Sequence, residues 1–112
     1  MELVEIYVPA TRVQGISLRR ARTIQIPKYE YEAIRNLIVE TLLAENEISL
    51  ERLITIGLQR LSGNRQSGQL SWLIIQVKND LEFRDQIQTA FDNSRNLLIK
   101  LRNRKLNQPN GT

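Results

Sequence analysis

At 112 residues the chain is long enough for one domain with a modest core. Hydrophobic content of 41% and charged content of 25% are ordinary for a folded protein, and an aromatic content of 5% makes the packing mainly aliphatic. Cys and His are both absent, which removes disulfides, iron–sulfur clusters, thiol nucleophiles, the usual zinc ligands and the commonest general base. An enzyme, a cofactor site or a metal site is therefore a poor expectation.

The net charge of +4 is unevenly placed. Residues 1–28 hold five basic residues against Glu2 and Glu5, and residues 86–112 hold five against Asp92. The middle, residues 29–85, holds six basic residues against nine acidic ones. Basic ends around an acidic middle suit a polyanionic partner, and they also suit plain solubility. No run approaches the ~18 apolar residues of a membrane helix, and Glu2 and Glu5 stand where a secretory signal would be basic. The expected location is cytoplasmic.

In chain order, residues 3–8 (LVEIYV) form a β-type run ended by Pro9. Residues 10–21 have no clear period and read as a loop or a loose hairpin around Gly15. Residues 22–26 (RTIQI) alternate as a second strand, stopped by Pro27. A first helix is predicted from about Pro27, with Tyr31, Ile34, Leu37, Ile38 and Leu42 at helical spacing and Asn46 as its stop. Ser49 then offers a hydroxyl N-cap to a second helix through Leu50, Leu53, Ile54, Leu58 and Leu61. After a connection over 62–68, Leu70, Ile74, Val77 and Leu81 put one apolar stripe down a third helix. Residues 87–91 and 97–101 are two β-favouring runs around the turn cluster 92–96. Residues 107–112 are expected to be a disordered tail.

The order α-α-α-β-β is that of a winged helix-turn-helix. The predicted class is α+β, a single domain over 1–106 with one or two extra N-terminal strands. Those strands can pair with the C-terminal hairpin or with a partner chain.

The outward face of the third helix carries Gln69, Trp72, Ile75, Gln76, Asn79 and Phe83. Gln69, Gln76 and Asn79 suit base-edge recognition. Trp72, Ile75 and Phe83 do not, and point instead to burial against the N-terminal strands or a second subunit. In the wing, Arg95, Lys100, Arg102 and Arg104 can neutralise phosphates or merely keep an edge strand soluble. Arg19, Arg20 and Arg22 present the same choice, as a basic arm along a groove or as a balance to the acidic helices. Asp80, Glu82 and Asp85 read as a solvated face with Lys78 and Glu82 paired at i,i+4. Tyr29 and Tyr31 read as helix-packing residues, and Trp72 as a core or interface anchor more than a base-stacking platform.

Several residues also carry a resemblance. Val8-Pro9, the run Lys28-Tyr29-Glu30-Tyr31-Glu32-Ala33-Ile34-Arg35, and Trp72, Val77, Asp80, Leu81, Glu82 and Arg84 resemble a family of small uncharacterised bacterial proteins. The resemblance spans about residue 7 to residue 102 and implies a winged-helix core with no catalytic motif. That family shows glycine where this chain has Asp85, which leaves room for the third helix to run further here. The expected function is non-enzymatic, cofactor-free DNA binding in transcriptional regulation, with double-stranded DNA and a second copy of the chain as partners. The alternative is a protein-interaction or dimerisation module using the apolar outer face of the third helix.

Overall fold

The computed structural model describes residues 2–8, 11–13, 16–19, 22–61, 63 and 67–102, with backbone alone at 11–13, 16–19, 22 and 67. In chain order the elements are β1 (Leu3–Val8), β2 (Thr11–Val13), β3 (Ile16–Arg19), β4 (Arg22–Pro27), α1 (Lys28–Glu45) and β5 (Glu47–Ser49). They continue with α2 (Leu50–Leu61), α3 (Ser67–Phe83), β6 (Ile87–Phe91) and β7 (Leu97–Leu101). The class is α+β, with three helices and small antiparallel sheets among the described residues. None of the described helices is long and apolar enough to cross a membrane.

The N-terminal strands pair with each other, β1 against β4 from Leu3↔Pro27 to Val8↔Arg22. They do not join the C-terminal hairpin. Between them the aperiodic segment is also extended, with β2 antiparallel to β3 and a register shift between Thr11 and Arg12. The third strand of the C-terminal sheet is instead β5, giving the order β5-β7-β6. In register, Ile48 and Thr89 both lie opposite Ile99. Three residues are too few to display an alternation, so β5 is invisible to periodicity.

Helix boundaries follow local chemistry. Pro27 precedes α1, where its missing N–H costs nothing. Asn46 ends α1 in the left-handed region (φ 66°), and its N–H donates to Leu42 O at 2.8 Å. The Arg52 N–H donates to Ser49 Oγ at 3.1 Å, the predicted cap of α2. Arg52 also binds Glu45 through both ends of its fork, Nε to Oε1 at 3.3 Å and Nη2 to Oε2 at 3.0 Å, tying α2 to the end of α1.

The core is built on the stripe of α3. Leu70, Ile74, Val77 and Leu81 are all buried, packed with Ile34, Ile38 and Leu42 of α1 and with Ile6 and Ile26 of the N-terminal strands. Ile48, Ile87 and Ile99 close it from the C-terminal sheet. On α2 the approach to α3 is close enough that a Cβ on Gly57 would overlap Ile74 Cδ1, so glycine sets the spacing there.

At its C-terminus α3 ends at Phe83 and does not take up the room the resemblance left for it to run further. Gln86 N–H donates to Leu81 O at 2.9 Å and Asp85 N–H to Glu82 O at 3.0 Å, the two bonds of a Schellman cap. Asp85 holds the left-handed position with φ 63°. The helix therefore runs no further than a glycine-capped one, and aspartate accepts the strain. Its ion pair with Arg102, at 4.0 Å and with Asp85 78% exposed, returns little. Asp85→Gly is expected to raise stability by about 0.5–1 kcal/mol in urea denaturation, since glycine reaches φ > 0 without a Cβ penalty. A loss of stability would show that the Arg102 pair outweighs the backbone term.

Candidate nucleic-acid interface

Three surfaces carry the residues singled out from sequence. On α3, Gln69 is exposed and Asn79 half-buried, but Gln76 is only 7% exposed and its Oε1 has no hydrogen-bond partner among the described residues. A base-reading role for Gln76 is corrected on that ground, because a buried amide cannot reach a base edge. The physical cause is the N-terminal pair of strands: β1 packs along α3, and the Tyr7 ring lies 6.1 Å from that of Phe83, two turns beyond Gln76. Ile75 is half-buried, Trp72 is 38% exposed and Phe83 73% exposed. Trp72 borders a cavity of about 240 Å³ shared with Ile24, Pro27 and Gln69, between β4 and α3.

The supposed solvated acidic face of α3 divides three ways. Asp80 is 3% exposed and accepts from the Tyr31 hydroxyl at 2.5 Å and from Arg84 Nε at 2.7 Å. Glu82 lies 3.7 Å from Lys78 Nζ, the expected i,i+4 pair, and accepts from Thr89 Oγ1 at 2.7 Å, joining α3 to β6. Asp85 alone is solvated. The expectation for the tyrosines also splits, with Tyr31 buried and Tyr29 64% exposed. Helical spacing carried the signal for Asp80: it lies 80° from Leu70, close enough to the stripe to be drawn in with a partner.

In the β6–β7 hairpin, Asp92 fixes the turn. Its Oδ1 accepts from the N–H groups of Ser94 at 2.8 Å and Asn96 at 2.9 Å, and these amides hold its carboxyl below the usual range. Arg95 sits exposed at the tip with φ 67°. Lys100 is exposed on β7 while its neighbour Ile99 faces the core, so Lys100 lies on the outer side of the sheet. Arg102 is partly covered beside Asp85, and Arg104 lies outside the described residues. Among the described residues the hairpin cations Arg95, Lys100 and Arg102 are thus dispersed over tip, outer face and base.

The N-terminal basic residues lie on paired backbone. Arg19 is opposite Thr11 and Arg22 opposite Val8, while Arg20 lies outside the described residues. The two-stranded form also brings in Arg12, opposite Ser17 on β2, which the sequence reading had passed over. The available signal was composition: between Glu5 and Glu30 the chain has five basic residues and no carboxylate. Among the described residues no three carboxylates converge in a way that could hold a metal ion.

The model of one protein family matches residues 12–97, from Arg12 on the ribbon through all three helices to the start of β7. The chain belongs to a family of unknown function, DUF6958. The DUF6958 span includes β2 from Arg12 onward, β3, β4 and the whole of the Tyr31–Asp80–Arg84 network. No curated protein matches, and no solved structure matches.

Burial, together with the hydrogen bond to Asp80 and that group's charge, pushes the Tyr31 phenol up from 10.0 to about 12. Below pH 10 the phenol is protonated folded or unfolded, and its full contribution to stability is present. Between pH 10 and about 12 the unfolded chain gives up this proton while the folded chain keeps it, so stability falls as pH rises through that window. Tyr31→Phe is expected to cost about 1–3 kcal/mol at neutral pH, by stripping one partner from a buried carboxylate. It should also flatten the fall in urea midpoint over the same alkaline window. An unchanged alkaline profile in Tyr31→Phe would exclude this phenol as its source.

Proposed function

We propose that this domain is a winged helix-turn-helix that binds double-stranded DNA, in a gene-regulatory role, chiefly through its two basic β-elements. The order α1-β5-α2-α3-β6-β7, with β7 between β5 and β6, supports the winged-helix assignment. The observation that carries the DNA reading is the N-terminal ribbon: antiparallel, two-stranded, with four arginines and no carboxylate between Val8 and Thr23, while Glu5 and the Lys28–Glu2 pair lie toward its base. A major groove admits a two-stranded ribbon as readily as a helix, and arginines supply phosphate contacts. The α3 helix supports the scaffold in this reading and reads few bases, given its buried Gln76 and its apolar neighbours.

A second reading has its own observation. Tyr7 and Phe83 are 46% and 73% exposed while in ring contact, an aromatic pair at the outer edge of α3. A protein-interaction or dimerisation face there would extend through Trp72 and Ile75.

Titration of a labelled duplex by fluorescence anisotropy separates the two. With about four phosphate contacts, affinity is expected to fall ~100-fold between about 50 and about 200 mM salt. The combined change of Arg12, Arg19, Arg20 and Arg22 to Gln is expected to remove most of that dependence, roughly one unit of log–log slope per contact. Binding that is absent, or that keeps its slope without these arginines, rejects the ribbon. If Phe83→Ser converts a dimer to a monomer by light scattering while DNA affinity is nil, the second reading replaces the first.

A further inference from the structure

A cleft of about 610 Å³ lies between α1 and the junction where α3 hands over to β6. Its polar side is formed by Arg35, Asn36, Arg84, Asp85 and Gln86, and its apolar side by Val39, Leu43 and Leu101. The two arginines differ in a way that matters. Arg84 is anchored: Nε binds the buried Asp80 at 2.7 Å, and Asp80 is itself held by the Tyr31 hydroxyl. A guanidinium fixed through one edge keeps its remaining N–H groups in a set orientation. Among the described residues Arg35 is paired with no carboxylate, and its guanidinium donates only to Asn36 Oδ1, at 3.3 Å. Both cations act on the same spot, since each favours the ionised form of the Tyr31 phenol.

Charge and shape then define an occupant. Arg35, Arg84 and Arg102 against Asp80 and Asp85 leave one positive charge in and around the cleft, that of Arg35. At the far end Leu43 is 68% exposed, an apolar side chain with no counterpart in the core. Arg35 and Leu43 are eight residues apart on α1, a rise of about 12 Å. We infer that this cleft is a binding site for a small amphipathic carboxylate, its head taken by Arg35 and Arg84 and its apolar body laid over Val39, Leu43 and Leu101. The inference uses none of the residues of the DNA reading, except that Arg102 neighbours the cleft. It stands or falls separately.

The test is titration of the full chain with octanoate, followed by backbone amide shifts, with octylamine and acetate as controls. Octanoate is expected to bind saturably and to move the amides of Arg84, Gln86 and Leu101. Octylamine lacks the anionic head and acetate the apolar body, so neither should saturate. Arg35→Gln is expected to weaken octanoate at least tenfold and Leu43→Ser severalfold, with circular dichroism unchanged because Leu43 is exposed and Arg35, half-buried, lies outside the core cluster. Equal binding of octylamine, octanoate shifts that never saturate, or unaltered affinity in Arg35→Gln would each overturn the site.

Discussion

Burial of α3 on three sides is the constraint from which the rest follows. Its aliphatic stripe faces α1 and the core, β1 packs on one flank, and β6 packs on the other. A helix so enclosed cannot leave polar side chains at its margins without partners, because an unpaired buried group costs more than a hydrogen bond returns. Asp80 meets the condition with Tyr31 and Arg84, and Lys78 meets it with Glu82 while burying its stem. Gln76 does not, and its carbonyl oxygen is the one buried side-chain atom without a partner among the described residues. The cost of that orphan sits where the N-terminal strands close over the helix.

Much of the framework was legible because its causes are local. The stripe Leu70, Ile74, Val77 and Leu81, the Ser49 cap and the Asn46 stop each act within a turn of chain, and the structure keeps all three. What the sequence hid depends on partners distant in the chain. Helical angles order side chains relative to their own stripe and say nothing of how many neighbours enclose the helix. Gln76 and Asn79 lie only 60° apart by that count, yet one is buried and the other half open. Asp80 and Tyr31, 49 residues apart, could be joined only once α1 was known to cross α3 beside them. The strand β5 is too short for a period, and the pairing of β1 with β4 is one of several that two short strands allow.

The candidate interface was legible in its charge and illegible in its form. A carboxylate-free stretch between Glu5 and Glu30 is a property of composition, whereas its folding back as β2 and β3 depends on which strand finds which. Glu82 turns toward β6 and Phe83 toward β1, about 100° around the helix, so the open sector of α3 is narrow and holds Trp72, Ile75 and Asn79. A narrow apolar sector offers a duplex little hydrogen-bonding surface. That is why the weight of the proposed DNA contact shifts from the helix to the strands on either side.

The three residues from Arg84 to Gln86 belong to several of these devices together. Arg84 carries the buried Asp80 charge to the surface, Asp85 holds the left-handed turn, and Gln86 closes the cap while its carbonyl accepts from the Arg102 N–H at 3.2 Å. The direction in which β6 leaves α3, and so the aim of the β6–β7 hairpin, is set in this short link. The link also forms one wall of the cleft occupied in our inference. A group seated against Arg84 and Gln86 would bear on the backbone that orients the hairpin, through direct contact and without a longer path. The strained Asp85 turn makes the coupling stronger in principle: a position already held away from its preferred backbone region has less energy to lose by shifting.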